Sequence, residues 1–225
     1  MSVPMLPALL HLCDSLFPIG GYAHSDGLEA ATDAGLVLDA DDLGTWMTTL
    51  LDETLARIEG PVVVRVLHAS EGEQWAEVRA LDDEVHAMRP SSTAREASRG
   101  VGARLLKTWG TLYPPSPAVR ALLVSERRWT LPVAFAVAAS SIGTDARTAV
   151  EAYMYTRLAS ATSSALRLMR LGQLEAHRML AESLKRVPEV VETLLVRHER
   201  PSSFTPLLDI AAMRQQYVTT RLFRS

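Results

Sequence analysis

Six histidines, one cysteine and 26 carboxylates are the groups in this 225-residue chain that could hold a metal or move a proton. The histidines are His11, His24, His68, His86, His177 and His198, and none stands three or four positions from another. Only those spacings put two ligands on one helix face. His11 and Cys13 are two apart, so a helix turns them to different sides. With Cys13 alone, neither an intrachain disulfide nor a thiolate zinc cluster can form. No metal set is expected. The chain also lacks HExxH, a Walker lysine motif, GxSxG and GxGxxG, so no catalytic residue is expected from those patterns. Gly100 and Gly102 fall inside a helical pattern, the wrong setting for a phosphate loop.

Most carboxylates have simple explanations. Asp39, Asp41 and Asp42 suit the positive end of a helix, and Asp82, Asp83 and Glu84 read as a solvated face. Glu29 differs, because it follows a glycine corner within residues 10–29, LHLCDSLFPIGGYAHSDGLE. Pro18 fixes φ and has no donor, so it ends a helix. Gly20 and Gly21 allow a left-handed turn or a close backbone approach, and Asp26 with Glu29 fits a loose capping box. An enzyme built here would need a deep polar pocket joining Glu29, His24 and an arginine.

Two arginine clusters remain. Arg167, Arg170 and Arg178 bracket Gly172 and Gln173, and the last five residues are Arg221, Leu222, Phe223, Arg224 and Ser225. A tail carrying Leu and Phe exposes apolar surface if it hangs free. It reads better as a segment that docks, on its own domain or on another protein.

The elements that position these groups all read as helix. Expected helices cover residues 5–16, 25–34, 39–59, 61–69, 75–88, 94–112, 118–125, 133–142, 145–169, 173–186, 188–198 and 207–217. Gly60 with Pro61 is expected to interrupt the third, and Ser70/Glu73 and Thr93/Glu96 have capping-box spacing. With no strand alternation and no repeat, the fold class is all-α, a single-domain bundle of about ten helices over residues 1–225, with 218–225 as a C-terminal docking tail. Hydrophobic residues make up 48% of the chain, enough for a substantial core. Residues 159–165, ASATSSA, give one helix a small face for tight packing inside the chain or against a second copy. A net charge of −3 argues against non-specific nucleic-acid binding. The longest apolar run, 131–139, is too short for a membrane span, no secretory leader is evident, and a cytoplasmic protein is expected.

Three separated stretches resemble the UreF family of urease accessory proteins. The first is Pro18, Gly20, Gly21, Tyr22, Ser25, Gly27, Leu28 and Glu29. The second is 165–173, which matches the family pattern at Arg167, Leu168, Leu171, Gly172 and Gln173. The third is the ending at 221–225, similar to Arg-Leu-Phe-x-Ser. Departures are Arg170 where the family often has Pro, His177 where it commonly has Gln, and Gln215 with Gln216 in place of a His-Glu pair.

The resemblance implies an all-α, dimeric accessory protein without a cofactor or catalytic role of its own. It would bridge UreD (UreH in some systems) to the GTPase UreG, deliver nickel to apo-urease, and take part in regulating GTP hydrolysis. Partner-binding residues are then expected among Tyr22, Ser25, Glu29, Arg167, Gln173, Arg221, Leu222, Phe223 and Arg224. Pro18, Gly20, Gly21, Gly27 and Gly172 would shape the motifs. A direct nickel carrier is the other expectation in this setting, and the scattered histidines give it little support.

Overall fold

The computed structural model describes residues 4–197, 201–202 and 204–225. Those residues form eleven α-helices and no strand. In order they are α1 (Met5–Leu12), α2 (Leu28–Asp33), α3 (Ala40–Thr49), α4 (Gly60–Glu71), α5 (Trp75–Ala87), α6 (Ser92–Leu112), α7 (Pro117–Val124), α8 (Leu131–Ser140), α9 (Ala146–Leu168), α10 (Gln173–Arg197) and α11 (Pro206–Arg214). Short 3-10 turns occupy Gly21–Ala23 and Gln215–Tyr217.

The centre is α8. Its sequence LPVAFAVAAS carries no charge, and Pro132 through Ala139 are buried on every side. A helix that is apolar all round must lie inside. Its alanines let α4 and α6 pack closely on it, with α9 on a further side. The run of valines at 62–64 is helical, inside α4, as the proline at its first turn suggests. Close approach also explains Gly102: a Cβ there would lie 2.3 Å from the carbonyl oxygen of Trp129. One continuous core runs from Ala8 to Ala211.

Several helix boundaries differ from expectation. The first helix stops at Leu12, because Asp14 turns the chain: its side chain accepts from the Leu16 N–H at 2.8 Å and its carbonyl from Phe17 N–H at 2.9 Å. Neither expected capping box forms. Ser70 bonds back to the Val66 carbonyl within α4, and α6 is capped instead by Ser91, which accepts from Ala94 N–H. Pro188 does not divide the chain in two. Burial of Val187 and Val191 on either side of it carries α10 through. Gly60 and Pro61 do not interrupt either. The chain passes from α3 into a π-helix, Leu50–Glu59, and straight on into α4.

Asp82 corrects the reading of an acidic solvated face. It is fully buried, accepting from Thr130 N–H at 2.8 Å and from Arg127 Nε at 2.9 Å. Asp83 beside it is exposed and also pairs with Arg127. The small residues split in role: Ala161, Thr162 and Ala165 are buried within the chain, Ala159, Ser160 and Ser163 line a cavity, and Ser164 is buried at the cavity's wall.

Candidate functional site

The glycine corner is fixed by backbone geometry. Gly20 sits at φ +70° and Gly27 at φ +90°, the left-handed region that favours glycine. A Cβ on Gly27 would also lie 2.7 Å from the backbone nitrogen of Ala212, so α11 presses directly on the corner. At Gly172 the backbone is not left-handed and an added Cβ meets nothing within 4 Å, so nothing in the structure explains a glycine there. Arg104 Nε donates to the Ile19 carbonyl at 2.6 Å, holding the turn against α6. Phe17 is buried, edge-on to His11.

The chain's last residues close over this corner. Glu29 is buried, and its carboxylate receives the backbone N–H groups of Leu222 at 2.5 Å and Phe223 at 3.2 Å, together with the Gln215 amide. The oxygen of the same Gln215 side chain accepts from Ala30 N–H at 3.1 Å. Two further backbone bonds stitch the strands of chain together: Arg224 N–H to the Ala23 carbonyl at 2.8 Å, and Ser25 N–H to the Ser225 carbonyl at 2.5 Å. His24 Nδ1 lies 2.7 Å from Ser225 Oγ. Phe223, only 3% exposed, fills the space under the Arg167 guanidinium at 4.2 Å, close enough for a cation–π contact. Arg167 also donates to the Tyr22 carbonyl at 2.7 Å.

The structure thus brings Tyr22, Ser25, Glu29, Arg167, Leu222, Phe223 and Arg224 into one clasp. Leu222 and Tyr22 stay 57% and 71% exposed at its surface, alongside Arg221 and Arg224. Gln173 is exposed at the start of α10 and makes none of the clasp's hydrogen bonds. Asp26 does not cap α2. It takes φ +52° and turns inward, to an ion pair with Arg157 at 2.6 Å. The α2 N-terminus is served by Ser25 Oγ, which accepts from Glu29 N–H at 3.4 Å.

Behind Asp26 lies a second polar group that the sequence did not disclose. Arg157 of α9 also reaches Glu59 with its Nε at 3.1 Å. Glu59 is fully buried and further accepts from Tyr153 Oη at 2.7 Å and from Arg89. Burial alone would raise the Asp26 carboxyl, but the charge of Arg157, with Arg89 and the Arg157 hydrogen bond, outweighs it and holds the carboxyl below its usual range. Burial and then the Glu59 charge push the Tyr153 phenol well up. For Arg157 the burial cost is outweighed by Asp26 and Glu59, which hold it firmly protonated. His24 is pushed below its ordinary value, first by burial, with the Asp26 charge opposing and those of Arg104, Arg224 and Arg157 adding to the shift.

A half-open cavity of about 420 Å³ lies between α1, the corner, α6 and α9. Phe17, Val101 and Leu105 wall it, and Asp26, Arg89 and Arg157 form a polar side. His24 and Cys13 border it, but Glu29 does not, since the tail occupies its carboxylate. The pocket an enzyme built on Glu29 and His24 requires is therefore not formed. Burial raises the Cys13 thiol to about 12, which keeps it protonated at neutral pH. Among the described residues no three His, Cys, Asp or Glu side chains gather as a metal site needs, and no helix is long and apolar enough to cross a membrane. His198 lies outside the described residues.

Fold and clasp together define an all-helical protein whose most elaborate polar site joins its own N-terminal corner to its C-terminal tail. The UreF family model matches residues 37–184. The chain is 34% identical to the urease accessory protein UreF of Nitrosococcus oceani, over 96% of this chain and 97% of that protein. It is 32% identical to that of Cupriavidus metallidurans, over 100% and 99%, and 34% identical to that of an Azoarcus species, over 96% and 94%. The chain belongs to the UreF family of urease accessory proteins. The corner and the tail both lie outside the stretch that the family model matches.

Sequence reasoning passed over Asp26 as a cap and did not single out Glu59, Arg89 or Arg157. A signal existed for Glu59: a charged residue directly before Gly60, Pro61 and a valine run stands where burial is expected. Gln215, noted as a departure from the family pattern, is the residue that ties the segment after α11 to Glu29 and Ala30 of α2.

Proposed function

We propose that this chain is a cytoplasmic assembly scaffold for urease maturation, acting as a homodimer that joins UreD (UreH) to the GTPase UreG while nickel enters apo-urease, and that modulates GTP hydrolysis through that contact. Family membership supports the accessory role. The observation that carries the scaffold reading is the clasp. Backbone hydrogen bonds fix the tail, yet Leu222, Arg221 and Arg224 stay exposed beside Tyr22. Arginine and aromatic groups on a fixed backbone suit interface anchors, because little ordering entropy remains to be lost on binding. Tail residues 218–225 together with Arg167 engage UreD in this reading, and the corner contributes to the GTPase-facing or dimer surface.

The test is co-expression with UreD and UreG, followed by size-exclusion chromatography with light scattering. A complex holding all three proteins and two copies of this chain is expected. Deleting residues 220–225 abolishes UreD co-purification while helix content, read by circular dichroism, stays intact. Unchanged UreD binding by that variant removes the tail from the interface. Arg167→Ala weakens assembly without unfolding the chain; an insoluble variant would place Arg167 among the residues needed for folding instead. UreG turnover of GTP, measured with and without this chain, decides whether hydrolysis is affected.

A further inference from the structure

The π-helix Leu50–Glu59 is ten residues long, whereas π geometry mostly occurs as single-turn bulges. Local sequence supports it at one end. The Gly60 N–H donates to the Leu55 carbonyl, five residues back. A Cβ on Gly60 would lie 2.6 Å from that same oxygen and 2.6 Å from Leu194 Cδ1 on α10. Pro61 has no N–H to give the preceding turn, and the Arg57 carbonyl is instead satisfied by the Ser202 N–H at 3.1 Å. None of this holds the segment's last residue in place. Glu59 is fully buried, and its position is set by Arg157, Tyr153 and Arg89. Each one-residue change of helical register turns a side chain by about 100°. Returning Leu50–Glu59 to an ordinary α register therefore swings Glu59 away from all three partners.

Arg157 has a second carboxylate, Asp26 of the corner, at 2.6 Å. One guanidinium thus bridges the corner and the end of the π-helix. We propose that Leu50–Glu59 is a two-state element whose register is held from the corner through Asp26, Arg157 and Glu59. Displacing the corner frees Arg157 to move, loosens Glu59 and relaxes the π-helix, and with it α3 and α10, which pack against the same segment. The relay transmits a change at the corner to helices that the clasp residues do not touch through hydrogen bonds. Linkage makes the coupling reciprocal.

The test is amide hydrogen exchange on the full chain without partners, so failure of the assembly proposal leaves it standing and the reverse also holds. Asp26→Asn removes the charge while keeping a side chain that tolerates positive φ. It raises exchange at least tenfold within residues 50–59 as well as in the corner, and leaves α8 unchanged. Faster exchange confined to the corner overturns the proposal, as does an equal rise throughout the chain, which would signal plain destabilisation. Asp52→Asn is the control: it breaks an exposed ion pair with Arg186 on the π-segment itself and changes exchange there less than twofold. Glu59→Gln supplies the reciprocal arm, speeding exchange at residues 20–30 at least tenfold; an unchanged corner overturns reciprocity. If loss of that charge prevents folding, Tyr153→Phe gives the same reading, since it removes one hydrogen bond to Glu59 and no charge.

Discussion

Glu29 and Glu59 are both buried carboxylates, and both sit within one residue contact of the corner, but they are stabilised by opposite means. Glu59 is met by two guanidinium groups and a phenol, from α9 and from the residues just after α5. Glu29 is met by neutral dipoles, two backbone N–H groups and one side-chain amide, all from residues 215–223. Two of Glu59's partners, Tyr153 and Arg157, are carried on the long helix α9, so their backbones stay with the fold. The partners of Glu29 belong to a short terminal segment, whose backbone can return to water. Removing a charged partner leaves an uncompensated buried charge; removing the tail merely reopens Glu29 to solvent. The inner site is accordingly part of the fold, and the outer one is a latch on it.

The largest effect expected from this difference is at Arg157. Arg157→Met leaves Glu59 with Arg89 as its sole guanidinium partner and Asp26 with none at hydrogen-bond distance. Breaking a buried ion pair on one side costs about 3–5 kcal/mol, so the chemical-denaturation midpoint falls steeply with an unchanged slope. Arg157→Lys keeps the charge but not the two-sided fork, and recovers part of the loss. A loss below about 1 kcal/mol for Arg157→Met, the range of an exposed pair, would put Glu59 in the same class as Glu29 and end the contrast.

At Glu29 the expected loss is smaller and local. Glu29→Ala removes the acceptor for Leu222 and Phe223, and hydrogen bonds to a charged group contribute about 1.5–3 kcal/mol. Part of that is recovered when the freed amides meet water. The tail therefore detaches before the helices melt. Trypsin, which cuts after arginine, cleaves at Arg221 and Arg224 at least tenfold faster in Glu29→Ala than in the parent chain, while the main denaturation transition moves little. A sharp fall in the main transition with no gain in tail cleavage would mean that the tail is a core element and not a latch.

These two sites also mark how far the sequence could be read. The all-helical class followed from helical spacing and from the lack of strand alternation. Glu29 stood out because a glycine corner preceded it, and the tail because Leu222 and Phe223 are poor residues to leave in water. Pairing the two was beyond reach, since contacts spanning about the whole chain leave no local periodic trace. Glu59 was missed for a related reason. The apolar pattern of 43–58 holds to its end, with Leu51, Leu55 and Ile58 buried, but it gives no account of a charged neighbour whose partners Arg89, Tyr153 and Arg157 lie far along the chain. Asp26 was misread because its capping spacing was right while its backbone, at φ +52°, is left-handed and not in the extended conformation that an N-cap takes.

The finest test of the contrast uses pH. His24 is bonded to Ser225 within the clasp and faces Asp26, Arg104, Arg224 and Arg157. Burial, with the Asp26 charge opposing it and the three arginines adding to it, sets its folded value below the ordinary 6.5. The unfolded chain then binds the proton more readily. Stability from a neutral His24 is complete above pH 6.5 and is lost as pH falls from there toward the folded value. Asp26 contributes in a lower window, because its depressed carboxyl gives stability that is present above about pH 4 and lost only below it. Between pH 7.5 and 5.5 the clasp thus loosens while the inner ion pairs stay charged. Tail cleavage by trypsin, corrected for the enzyme's own pH profile on an unfolded substrate, rises over that interval by at most about tenfold per pH unit. His24→Gln flattens the tail's response. His86 on α5 is depressed too, chiefly by burial and then by Arg99 and Arg95, so a shallow dependence of the main transition survives in that variant. Tail cleavage that stays flat in the parent chain would remove His24 from the latch.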